Sequence, residues 1–104
     1  MSGINTPYAY QYEHVAASQT AQVLGGTGAA GDYIHRLACT VSTAATGSVI
    51  ILDGASFSHT ILPALPGGGV GQYDIELNAR SRNGAWKITT GAGVEVLAIG
   101  IFSA

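Results

Sequence analysis

Gln72-Tyr73-Asp74-Ile75-Glu76-Leu77 alternates polar and apolar side chains without a slip. Successive side chains of a strand point to opposite faces. This stretch therefore offers Tyr73, Ile75 and Leu77 to an interior and Gln72, Asp74 and Glu76 to water. Downstream, Asn83-Gly84 supplies the positive φ of a tight turn and launches Ala85-Trp86-Lys87-Ile88-Thr89-Thr90, with Trp86 and Ile88 on one face. Gly91-Ala92-Gly93 turns the chain again, and Val94 to Phe102 closes it. In that last strand Val94, Val96 and Ala98 alternate with Leu97, Ile99 and Ile101, so both faces are apolar. Such a strand is central in a sandwich or is covered by a second subunit.

Upstream, Asp53-Gly54 lies between Val49-Ile50-Ile51-Leu52 and Phe57 to Leu62, which reads as a β-hairpin. Pro63, Pro66 and Gly67-Gly68-Gly69 end the returning strand in a loop. A strand is expected over Ser48 to Leu52, with a loop over Thr43 to Gly47 before it. Asp32 to Ser42 reads as a long half-buried strand, with Tyr33, Leu37, Cys39 and Val41 on one face and Arg36 and Thr40 on the other. Residues 14–24 form a weakly patterned strand, which Gly25-Gly26-Thr27-Gly28-Ala29-Ala30-Gly31 breaks. No stretch longer than a turn has helical periodicity. The expectation is an all-β, compact antiparallel β-sandwich or jelly-roll-like domain of about seven or eight strands over residues 14–104. Residues 1–13 read as an extended N-terminal arm, with Tyr8, Tyr10 and Tyr12 on one side of it.

Charged residues are 10% of the 104, against roughly 25% in an ordinary soluble domain, while hydrophobic residues are 47%. A surface so poor in charge suits coverage by other chains. Arg36, Arg80, Arg82 and Lys87 are the only fixed cations, too few for a nucleic-acid footprint. The longest apolar runs fall far short of the roughly twenty residues a membrane-spanning helix needs. The first residues have neither the charged nor the apolar region of a signal peptide, so synthesis and folding in the cytoplasm are expected. Cys39, the single cysteine, sits in an apolar run as a small core residue.

Catalytic patterns are missing. His14, His35 and His59 are scattered over three strands without a carboxylate or thiolate at metal-ligand spacing, so no metal or cofactor is expected. No serine occupies a recognised nucleophile setting. Asp74 and Glu76 share a strand face roughly 7 Å apart, a spacing that also fits an ordinary solvated face. The glycine-rich stretches do not lead into helices, as a phosphate cradle requires. Arg80, Arg82 and Trp86 bracket the Asn83-Gly84 turn. They form either an exposed binding knob or a buried indole covered by arginine stems.

Gly31-Asp32-Tyr33-Ile34, Asp53-Gly54, the run Ser81 to Val94 and Val96-Leu97-Ala98-Ile99-Gly100 together resemble small structural proteins of tailed bacteriophages and prophages. The likeness covers residues 15–102 and points to capsid decoration, or cement, proteins. It implies a non-enzymatic β-sandwich on the outer shell of the virion, held there as a homo-oligomer, a trimer by preference, on the major capsid protein. The expected contacts are Tyr8, Tyr10 and Tyr12 of the arm with Val94, Val96, Ile99 and Ile101 of the last strand. A head-fibre or tail component has the same fold, and a carbohydrate-binding module would instead expose Trp86.

Overall fold

A computed structural model describes residues 10–42, 47–62 and 70–103. Eight strands run through it: β1 (Gln11–Val15), β2 (Gln22–Val23), β3 (Tyr33–Val41), β4 (Val49–Asp53), β5 (Phe57–Leu62), β6 (Gly71–Arg80), β7 (Trp86–Thr90) and β8 (Val94–Ile101). They form two antiparallel four-stranded sheets, ordered β1-β8-β3-β6 and β2-β7-β4-β5. The first strand pairs with the last, the second with the next to last, and so inward to the β4–β5 hairpin. A ribbon paired this way and wound into two sheets is a jelly roll, so the all-β sandwich expected from strand patterning is what the chain forms. The loops collect at two ends. One end holds the β1–β2 and β7–β8 connections; the other holds β2–β3, β4–β5 and β6–β7.

The core lies between the sheets. Val15, Ile34, Leu37, Val49, Ile88, Val94, Val96 and Ala98 are fully buried there, and each large aliphatic adds about 1.5–3 kcal/mol over exposure. β6 has the alternation its sequence announces: Tyr73, Ile75 and Leu77 are half-buried, and Gln72, Asp74 and Glu76 are exposed. The Asp53-Gly54 hairpin is present, with Gly54 at φ 62 beginning its loop.

Four expectations need correction. The strand over residues 14–24 is two strands in different sheets. The chain turns between β1 and β2 through Ser18 and Ala21, both in left-handed backbone. Tyr33 is on the face opposite Leu37, because the β3 register shifts between Ile34 and Arg36 and one added residue reverses the alternation. The Asn83-Gly84 turn does not join neighbouring strands; it carries the chain from β6 in one sheet to β7 in the other. The arm boundary at residue 13 falls inside β1, since Gln11, Tyr12 and Glu13 pair with Gly100, Ile99 and Ala98. Residues 1–9, 43–46, 63–69 and 104 lie outside the described residues, and with them Tyr8, most of the Thr43–Gly47 loop and the Pro63–Gly69 loop.

Candidate interaction surface

The outer face of the β1-β8-β3-β6 sheet carries Tyr10, Tyr12 and Ile101, three of the exposed large apolar side chains among the described residues. Register sets Tyr12 opposite Ile99 and His14 opposite Leu97, then Tyr33 opposite Ile101 across β3 and β8. These side chains share the face turned away from the core. Tyr12 is 74% exposed, Ile101 46% and Tyr10 41%, while Leu97 and Ile99 are half-buried. Tyr10 leans across to β3, stacking on His35 at 4.9 Å between ring centroids and lying 5.8 Å from Tyr33. The Nδ1 of His35 is buried there without a hydrogen-bond partner. Partial removal from water, with Tyr10 and Glu76 nearby, raises the Tyr33 phenol above its ordinary value.

Two polar side-chain pairs flank this apolar strip. His14 Nε2 lies 2.7 Å from Glu95 on one side, and Arg36 donates to Asp74 at 2.7 Å on the other. The Tyr33 hydroxyl donates to Asn78 Oδ1. Both pairs are substantially exposed and contribute little stability. An apolar centre with a polar rim is the anatomy of a protein interface.

The end of the sandwich beside Tyr33 is tied by two buried carboxylates. Asp32 accepts the Ser103 amide at 3.0 Å, the Ser103 hydroxyl at 2.7 Å and the Ala29 amide at 3.0 Å. Burial pushes its pKa up, but these hydrogen bonds outweigh burial and hold it below the ordinary value. Asp53 accepts the backbone amides of Arg82 and Asn83 at 2.9 Å each, locking the two turns together. Their polar atoms are consumed in holding loops, which is structural work.

The residues singled out in the sequence fall into separate places. Tyr10, Tyr12, Ile99 and Ile101 meet on the outer face. Val94 and Val96 do not join them; both are fully buried in the chain's own core. β8 is apolar on both faces because it is central, between β1 and β3, and its inner residues face the second sheet. Trp86 is not an exposed knob. It is 7% exposed, and its Nε1 donates to the Asp32 carbonyl. Arg80 and Arg82 are exposed, with Arg80 donating to the Gly31 carbonyl at 3.3 Å.

Leu97, Tyr33 and His35 belong to the surface but were not read as part of it. Leu97 was legible in the outer set of β8, whereas Tyr33 and His35 depend on a bulge that the β3 sequence does not advertise. Among the described residues, no group of three or more His, Cys, Asp or Glu is placed to hold a metal ion. No protein-family model, curated protein or solved structure matches this chain.

Proposed function

We propose that this chain is a non-enzymatic structural protein of a bacteriophage virion, a decoration protein that binds the outer capsid shell as a homo-oligomer and stabilises it. The observation that carries the reading is the strip of exposed Tyr10, Tyr12 and Ile101 with half-buried Leu97 and Ile99 on one sheet face. The low charge of the whole chain and its resemblance to phage structural proteins add support. Jelly rolls occur in viral capsid and lectin domains, which is analogy only, because fold does not carry function. Many modest contacts by a multi-copy protein give avidity without a catalytic pocket. The carbohydrate-binding alternative loses its main residue, since Trp86 is in the core. A head-fibre or tail role differs from decoration only in the partner.

Co-sedimentation with shells lacking the protein tests the reading. The wild type is expected to pellet with shells. Tyr12→Asp/Ile101→Asp is expected to stay in the supernatant with an unchanged circular dichroism spectrum. Removal of residues 1–9 should also weaken binding if the arm takes part. A wild type that ignores shells rejects decoration, and a folded double variant that pellets as well as the wild type rejects this face.

A further inference from the structure

Four strands end the two sheets: β1 and β6 in one, β2 and β5 in the other. A free edge is a row of unpaired N–H and C=O groups, and proteins blunt such edges to stay unpaired. Three of the four are blunted. Along β1, Gln22 Nε2 donates to the His14 carbonyl at 3.2 Å and to the Glu13 carboxylate at 2.7 Å. β2 is only two residues long, and the amides of Gln19 and Ala21 beside it end on the hydroxyls of Thr90 and Thr89. β6 carries Asp74, Glu76 and Arg80 and is bent at Asn78, whose φ is 56.

Among the described residues, β5 has none of these defences. Phe57-Ser58-His59-Thr60-Ile61-Leu62 contains no charged residue, no proline and no positive φ. Phe57 to Thr60 are all exposed, and the one irregularity, Ile61 against β4, lies beyond them. The register of Phe57 with Asp53 and of His59 with Ile51 turns both rings to the core side, where they stack 6.3 Å apart. Both rings are exposed there, Phe57 at 51%, and Tyr73, Ile75 and Leu77 of β6 are only half-buried. At the opposite flank Val15 is fully buried, so among the described residues the Phe57–Thr60 flank is the more exposed of the two.

We propose that β5 is the edge through which two copies of this chain pair, antiparallel about a two-fold axis perpendicular to the sheet. The second sheets of the two copies then become one. Such an edge is self-complementary in its hydrogen bonds, and a charge-free strand sets no like charges opposite one another. With Ser58 on the axis, Phe57 of each copy lies opposite His59 of the other on the core side. The contact is isologous and closes at two copies. A dimer is thus the unit, in place of the trimer expected from the sequence resemblance. The pairing concerns the free protein and does not depend on the capsid reading.

Light scattering and cross-linking test it. The wild type is expected at the mass of two chains, and Thr60→Lys at the mass of one, with an unchanged circular dichroism spectrum. Ser58→Cys under copper-catalysed air oxidation should give a covalent dimer on a non-reducing gel, with Cys39 buried and inert. Removing residues 1–9 should leave that link intact. A monomeric wild type, a folded Thr60→Lys dimer or an unlinked Ser58→Cys protein overturns the proposal. A link that vanishes with residues 1–9 also overturns it and gives the edge to the arm.

Discussion

Trp86 Nε1 donates a 2.9 Å hydrogen bond to the carbonyl oxygen of Asp32, joining the start of β7 in one sheet to the residue before β3 in the other. The bond crosses the core and is buried. Around it, the Asp32 carboxylate holds Ser103 and Ala29, and the Ser81 hydroxyl donates to the Ala29 carbonyl at 3.1 Å. Segments distant in sequence are therefore fastened at one end of the sandwich, below the Tyr33 side of the candidate interaction surface.

Replacing Trp86 by Phe keeps most of the ring and removes the donor. The Asp32 carbonyl keeps the Ser81 amide as a donor at 2.9 Å, so one buried hydrogen bond is lost without orphaning its acceptor, and such a bond is worth about 0.5–1.5 kcal/mol. Urea unfolding of Trp86→Phe should show a loss of that size, with an m value close to that of the wild type. The native indole should also emit in the blue and resist iodide quenching.

Asp32 makes stability depend on acid. Its carboxyl is held below the ordinary 3.8, so near that value the unfolded chain binds more protons than the folded one. Its contribution is present above pH 3.8 and is lost as pH falls through the lower folded value. Melting temperature should drop over that acidic window in the wild type. In Asp32→Asn the drop should be shallower, starting from a lower melting temperature at pH 7.

Cys39 should be silent in the folded protein. It is 1% exposed, and burial pushes its thiol up to about 11. At pH 8 roughly one thiol in a thousand is then ionised, and reagent cannot reach it. A disulfide-exchange reagent should label Cys39 only as the chain opens, at a rate that rises with urea. Rapid labelling of native protein would show that β3 is not packed as described.

The legible parts of the fold were those governed by local alternation. β6 shows its two faces because each apolar residue has a polar neighbour, and the β4–β5 hairpin shows because Asp53-Gly54 lies between two β-rich runs. The winding was hidden for a physical reason. Left-handed backbone at Ser18 and Ala21, neither of which is glycine, moves the chain between sheets with no compositional mark. The extra residue near His35 likewise flips Tyr33 outward only because β6 and β8 hold the flanking registers. The candidate surface was half visible for the same reasons: Ile99 and Ile101 follow from alternation, whereas Val94 and Val96 looked equivalent until the second sheet covered them. The buried indole of Trp86 rests on a carbonyl in another loop, which no spacing near Trp86 reveals.

Gly100 supports both the core and the outer face. It lies on β8 opposite Gln11 of β1 and Ile34 of β3, at the point where β3 bulges. A Cβ at this position would sit 2.2 Å from the Tyr33 carbonyl oxygen and 2.9 Å from Ile34 Cα. Both are backbone atoms in a paired central strand, so neither can swing aside as a side chain could. Gly100→Ala must push β3 away from β8, and overpacking of this kind costs about 1–3 kcal/mol. The same displacement moves Tyr33 away from Ile101, so shell binding should weaken along with stability. Tyr12→Asp should weaken binding alone, because Tyr12 is largely in solvent. Melting curves and shell co-sedimentation on the two variants separate the effects. If Gly100→Ala melts with the wild type, the close approach of β8 to β3 is not as tight as these distances require.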